Sequence, residues 1–203
     1  MNDLAAAVIH DVKNQLSELA LRLERRSDAV QETGLAFDAA RRLTDLLLAT
    51  REQSGQLRAN IDSASPGDLL QELCAEYQGL FPDIRFSVDN REIPAFAFYD
   101  TALIRLALTN AVHNACRYAT SGITLSARND GHFLVFEIID DGPGFPDSML
   151  GEAPSSPSFA SNRGTGLGIY LAGKIARLHQ IEGRCGNLTL SNRGGACFTL
   201  SLP

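Results

Sequence analysis

The chain has 203 residues, 44% of them hydrophobic, with a formal net charge of −6 and a pI near 5.2. That composition fits one or two folded domains and excludes a disordered chain. The acidic balance also excludes a general nucleic-acid binder, which needs a basic surface. In chain order, Met1-Asn2-Asp3-Leu4 carries no basic region ahead of an apolar one, so no signal peptide is expected. Up to about residue 60 there is no proline, and the only glycines are Gly34 and Gly55. Ala5, Ile9, Val12, Leu16, Leu19 and Leu23 follow a four-three rhythm, a heptad seam on a helix. Ala36, Ala40, Leu43, Leu47 and Thr50 repeat it, with Ser27-Asp28 between the seams as a cap. An antiparallel helical hairpin over residues 1–62 is expected. Leu35, Leu46 and Leu48 add apolar surface that one partner helix cannot cover. A homodimer closing a four-helix bundle would bury it.

Ser63-Ala64-Ser65-Pro66-Gly67 breaks the helical pattern and marks a boundary, so a second domain is expected over 63–203. Within it, Asp68–Gln78 reads as a short helix and Ile84–Val88 as a strand. Asp100 caps a predicted helix over Thr101–Tyr118. Ile123–Ala127 and Phe133–Ile139 are predicted strands, rich in β-branched and aromatic residues. The latter holds the longest apolar run, which is far too short to cross a membrane. Pro143–Gly164, rich in Pro, Ser and Gly, reads as a loop, and Gly168–Leu178 as a helix. Leu188–Leu190 and Cys197–Leu202 close as strands across Asn192-Arg193-Gly194-Gly195. The whole is predicted to be α+β: a helical hairpin followed by an α/β sandwich, one sheet with helices on one face. The four cysteines, Cys74, Cys116, Cys185 and Cys197, form no C-x-x-C and read as reduced thiols of a cytoplasmic protein.

Three motifs carry chemistry. Asn110 and Asn114 stand four apart and share one helix face, with Arg117 and Tyr118 at its end. Amide oxygens are hard ligands suited to Mg²⁺, which keeps waters and bridges phosphates. Asp140-Asp141-Gly142-Pro143-Gly144 follows a strand, and Gly164-Thr165-Gly166-Leu167-Gly168 opens a helix. Glycines there let backbone approach a bulky anion, and a helix N-terminus offers free N–H groups to phosphate. Either loop alone is equally a hairpin turn or a helix start. No Lys-Ser or Lys-Thr follows the glycines, so this is not a P-loop, and no parallel βαβ unit is predicted around them.

N-x-x-x-N, D-x-G-x-G and G-x-G-x-G, in this order, resemble the ATP-binding domain of sensor histidine kinases, within the GHKL ATPases. The resemblance runs from about Pro66 to Pro203. Ile9-His10-Asp11-Val12-Lys13-Asn14 is similar to that family's phosphoacceptor box. The resemblance implies an ATP-dependent protein-histidine kinase using ATP and Mg²⁺. It implies that His10 is the nucleophile, near neutral in charge at cytosolic pH. Asp11 would take a proton from its other ring nitrogen, and Asn14 would place a water that removes phosphate from a response-regulator receiver domain. Asn114 would be the Mg²⁺ ligand, with Asn110 near the phosphates. Arg117 would neutralise phosphate charge, and Tyr118 would lie near the adenine or ribose. Asp140 would accept the adenine amine, selecting adenine. Gly142 and Gly144 would give room beside the base. The segment Gly164, Thr165, Gly166, Leu167, Gly168 would hinge the lid and present N–H groups to the triphosphate. The lid from Phe145 to Arg163 keeps only Phe159 of the family's aromatic box. Only nine residues precede His10, so the expectation is either that the input signal comes from a separate sensor protein or that the chain acts constitutively. Two rivals share parts of the pattern: a histidine phosphotransfer protein of the same architecture without autokinase activity, and a serine kinase of the anti-sigma type.

Overall fold

The computed structural model describes residues 57–153 and 167–203, with single positions at 16, 39, 43, 44, 50 and 55. The chain divides into two compact units, Met1–Leu57 and Arg58–Pro203. In the first, Leu16, Ala39, Leu43, Thr44 and Thr50 are helical. The expected hairpin and its dimeric bundle otherwise lie outside the described residues.

The second unit runs β1 (Asp62–Ala64), α1 (Pro66–Leu80), β2 (Arg85–Asp89), β3 (Ala97–Tyr99), α2 (Thr101–Tyr118), β4 (Gly122–Asp130) and β5 (Phe133–Asp140). It continues with a 3₁₀ turn at Asp147–Met149, β6 (Gly151–Glu152), α3 (Leu167–Leu178), β7 (Gln180–Ile181), β8 (Arg184–Cys185), β9 (Asn187–Asn192) and β10 (Ala196–Leu202). A six-stranded sheet has the order β2-β4-β5-β10-β9-β6. β2 and β4 pair in parallel and the other neighbours antiparallel. The parallel pair follows from the crossover through α2, which returns the chain to the same end of the sheet.

Alternation along the strands makes the core. Ile123, Leu125 and Ala127 on β4, Leu134, Phe136 and Ile138 on β5, and Phe198, Leu200 and Leu202 on β10 are all buried. All three helices pack against the sheet. Between these positions, Thr124, Ser126, Thr199 and Ser201 are exposed or half-buried on the opposite face, whereas Val135 and Glu137 of the central strand β5 are buried there as well. This is the expected α/β sandwich with helices on one face.

Each helix start has a local reason. Ser65 Oγ accepts from the Asp68 N–H at 3.2 Å, and Pro66 occupies the first turn of α1. Asp100 Oδ1 accepts from the Leu103 N–H at 2.9 Å at the start of α2. Two sequence readings need correction. α1 is longer than Asp68–Gln78, because the Ser65 cap and Pro66 begin it earlier. The stretch from Pro143 is not all loop, since Gly151–Glu152 pairs with β9 at the sheet edge. Two residues are too few to show a strand period, and the same holds for β7 and β8. Among the described residues, no helix is long and apolar enough to cross a membrane.

Candidate functional site

β5 ends on Asp140, a carboxylate that is 6% exposed. Its Oδ1 accepts two backbone N–H groups, from Gly142 at 2.9 Å and Ala196 at 3.1 Å. Beside it opens a cleft. α2 contributes Ala111, Asn114 and Ala115, and the sheet contributes Ile138, Asp140, Ala196 and Phe198. Phe145 and Ile169 complete the lining. Among the described residues, only Asp140 and Asn114 bring polar side chains to an otherwise apolar wall. Such a cleft takes a flat apolar ring with a hydrogen-bond donor at its edge. Both bonds to Asp140 land on Oδ1, so the carboxylate has acceptor capacity for a ligand N–H. One carboxylate acceptor on an apolar wall is the chemistry that suits the amine edge of an adenine base.

The two asparagines of α2 part company. Asn114 lines the cleft. Asn110 is 2% exposed and packs against α3: a Cβ at Gly168 would lie 3.3 Å from the Asn110 Cγ. Arg117 and Tyr118 are exposed at the end of α2 and do not line the cleft. Leu167 is buried at the start of α3. His10, Asp11, Asn14, Gly164, Thr165 and Gly166 lie outside the described residues.

The glycines after β5 are required by protein neighbours. A Cβ at Gly142 would overlap the Tyr118 carbonyl, which ends α2. Gly144 has φ +85°, and a Cβ there would sit 2.7 Å from Asn192 Oδ1. The space a side chain would need at these two positions is therefore taken by the end of α2 and by Asn192 of β9.

Three residues that sequence reading passed over build the site. Asp141 accepts the Thr120 N–H at 2.7 Å, and its carboxylate takes the Ser121 N–H and, at 2.6 Å, the Ser121 hydroxyl. These donors hold its carboxyl well below the usual carboxylate range and tie the turn after α2 to the end of β5. Asn192 accepts the Phe145 N–H at 2.8 Å and donates to the Phe145 carbonyl at 3.0 Å. Gly195 lies flush on the Asp140 carbonyl, where a Cβ would overlap it. The second acidic residue of Asp140-Asp141 and the Asn-x-Gly-Gly turn were the available signals. Among the described residues, no group of His, Cys, Asp or Glu could hold a metal ion.

Residues 99–203 match the family model described as histidine kinase-, DNA gyrase B- and HSP90-like ATPase. The chain belongs to this ATPase family. Its relatives include the sensor histidine kinase GtrS of Pseudomonas aeruginosa, 30% identical over 98% of this chain and 41% of the relative. Another is the signal transduction histidine-protein kinase AfsQ2 of Streptomyces coelicolor, 27% identical over 83% of this chain and 32% of the relative. The chain thus spans well under half the length of these curated relatives. Among solved structures, the histidine kinase AdeS of Acinetobacter baumannii has a TM-score of 0.66 at 18% identity, covering 87% of this chain and 84% of that one. Full-length ShkA in complex with AMPPNP has a TM-score of 0.65 at 20% identity, covering 98% of this chain and 45% of that one. At these identities the structural likeness shows the fold of the ATPase family. The cleft between α2 and the sheet is thus a site on an ATPase-family scaffold.

Proposed function

We propose that the chain is an ATP-dependent protein-histidine kinase of a two-component system. His10 takes the γ-phosphate of ATP and passes it to an aspartate on a response-regulator receiver domain, and the chain also removes that phosphate. The observation that carries this reading is the buried Asp140 carboxylate facing an apolar cleft beside Asn114. Likeness to sensor histidine kinases along most of the chain supports it.

In this reading Asp140 accepts the adenine amine, and the apolar wall excludes water from the base. Asn114 offers its amide oxygen to Mg²⁺, which when bound supplies positive charge against the phosphates. Asn110 and Gly168, packed together, set the start of α3 relative to α2. Arg117 and Tyr118 serve the phosphate and ribose end, and Gly164, Thr165, Gly166 and Leu167 serve the lid. At the other unit, the His10 ring nitrogen attacks the γ-phosphorus. The bond to the β-γ bridging oxygen breaks, ADP leaves, and Asp11 takes the proton from the other ring nitrogen. Asn14 aims water at the receiver's aspartyl phosphate. Residues 1–62 form the dimerising hairpin and 63–203 the ATP-binding domain of a cytoplasmic homodimer.

The deciding experiment uses ATP labelled at the γ-phosphate. Self-labelling that survives alkali, is lost in acid and disappears in His10→Gln with nucleotide binding intact is the expected result. Acid-stable label, or label persisting in His10→Gln, points to a serine kinase. Absence of both nucleotide binding and self-labelling points to a phosphotransfer protein.

A further inference from the structure

We propose that Asn192 is a positioning residue for the base end of the cleft, acting through the main chain of Phe145; this rests on the nucleotide reading above. After β5 the chain turns through Gly142–Gly144 and must bring Phe145 back over the cleft that Asp140 floors. A loop of this kind has no strand partner, and its position is set by whatever pins its backbone. Here one side chain does so from 47 residues away. The Phe145 N–H donates to Asn192 Oδ1 at 2.8 Å, and Asn192 Nδ2 donates to the Phe145 carbonyl at 3.0 Å. The amide thereby imitates one rung of a strand pair. An asparagine amide carries its acceptor and its donor on separate atoms, so it can meet an N–H and a carbonyl of the same residue at once, which the single oxygen of a serine or threonine hydroxyl is poorly placed to do. Gly144, at φ +85°, leaves the space beside it for that amide.

Asn192 ends β9, in register with Ala196 on β10. The Ala196 N–H donates to Asp140 Oδ1 at 3.1 Å. One cross-strand pair at the hairpin tip therefore holds both the carboxylate and the apolar wall of the cleft. Their separation, which a flat ring must fit, is set by that pair. Asn192 itself is not part of the lining, so its effect on a ligand passes through Phe145.

The test is calorimetric titration of the full chain with ADP and, separately, with adenosine. Unmodified protein, Asn192→Ala and Asn192→Asp are compared, with amide hydrogen exchange followed at Phe145. In Asn192→Ala both ligands should weaken by the same factor, about 10-fold, the order expected for losing neutral hydrogen bonds. Stoichiometry should stay unchanged, the ligand-free protein should still melt in one cooperative transition, and exchange at Phe145 should accelerate. Asn192→Asp, which keeps the acceptor for the Phe145 N–H, should recover part of the affinity. Unchanged affinity in Asn192→Ala overturns the proposal, and so does a loss confined to ADP, which would place the effect at the phosphates. If Asn192→Ala fails to fold, Asn192→Asp decides: weakening of both ligands at full stoichiometry supports the role, and equal affinity rejects it. Failure of the unmodified chain to bind either ligand overturns the nucleotide reading itself, and the role of Asn192 with it.

Discussion

At the scale of single residues, the site depends on a carboxylate buried in an apolar wall. Burying Asp140 is tolerable because two backbone N–H groups meet its Oδ1. Asp140→Asn preserves the shape but removes the charge. An amide can also present its own N–H₂ where the ligand presents a donor. ATP affinity is expected to fall by about 10- to 100-fold, or roughly 1.5–3 kcal/mol for one charge-assisted hydrogen bond. Calorimetry comparing the two proteins checks this, and equal affinity would remove Asp140 from the base site. Gly142 and Gly195 show the other side of the same economy of space. Each presses on a main-chain carbonyl, one at the end of α2 and one at the end of β5, where no side chain fits.

At the scale of elements, side chains substitute for missing strand partners and fasten helices to the sheet. Gln78 on α1 donates to the Ile84 carbonyl and accepts from the Phe86 N–H, pairing with the backbone at β2 as Asn192 does with Phe145. The start of α2 is fixed by a buried histidine. The Asp100 N–H donates to His179 Nε2 at 3.0 Å, and His179 Nδ1–H donates to the Ile175 carbonyl at 2.9 Å. Asp100 Oδ2 also accepts the Asn60 N–H at 2.8 Å, so one knot joins the entry to β1, the cap of α2 and the end of α3. His179 must be neutral to accept at Nε2, and burial pushes its pKa down, against smaller raising effects from the Ile175 carbonyl and the Asp100 charge. The unfolded chain then binds a proton that the folded one does not. The stability contributed is complete above the unfolded value, about 6.5, and is lost as pH falls below it. Urea unfolding midpoints are expected to drop between pH 7 and 5. In His179→Leu the protein is less stable throughout but the drop is smaller. An identical pH slope in both proteins would show that another group titrates.

At the scale of the whole molecule, the assembly expected from the two heptad seams can be measured directly. A hairpin of this size carries more apolar surface than one chain buries, so a homodimer through residues 1–62 is expected. Replacing Leu16 and Leu19 together with Glu should yield monomers, or misfolded protein, in sedimentation equilibrium at micromolar concentration. A monomeric unmodified chain would contradict the dimer. The second unit needs no such partner for its own core, since its sheet is covered by three helices from the same chain.

What the sequence determined by itself is whatever repeats or is punctuated locally. α2 is legible residue by residue from the Asp100 cap and the spacing of its buried leucines and alanines. β4 and β5 are legible from their β-branched and aromatic residues, β9 and β10 from the turn between them, and the order of the asparagine and glycine motifs is enough to anticipate the family and the cleft. The parallel pairing of β2 with β4 was not legible, because register between distant strands is chosen by packing and not by local pattern. Nor could spacing tell that Asn110 packs against Gly168 while Asn114 lines the cleft. Residues four apart on a helix share a face, but which of them meets a neighbouring helix depends on where that helix lies. The clamps of Asp141 on the turn after α2 and of Asn192 on Phe145 were invisible for the same reason. Each joins segments far apart in the chain by hydrogen bonds that exist only once the sheet has brought them together.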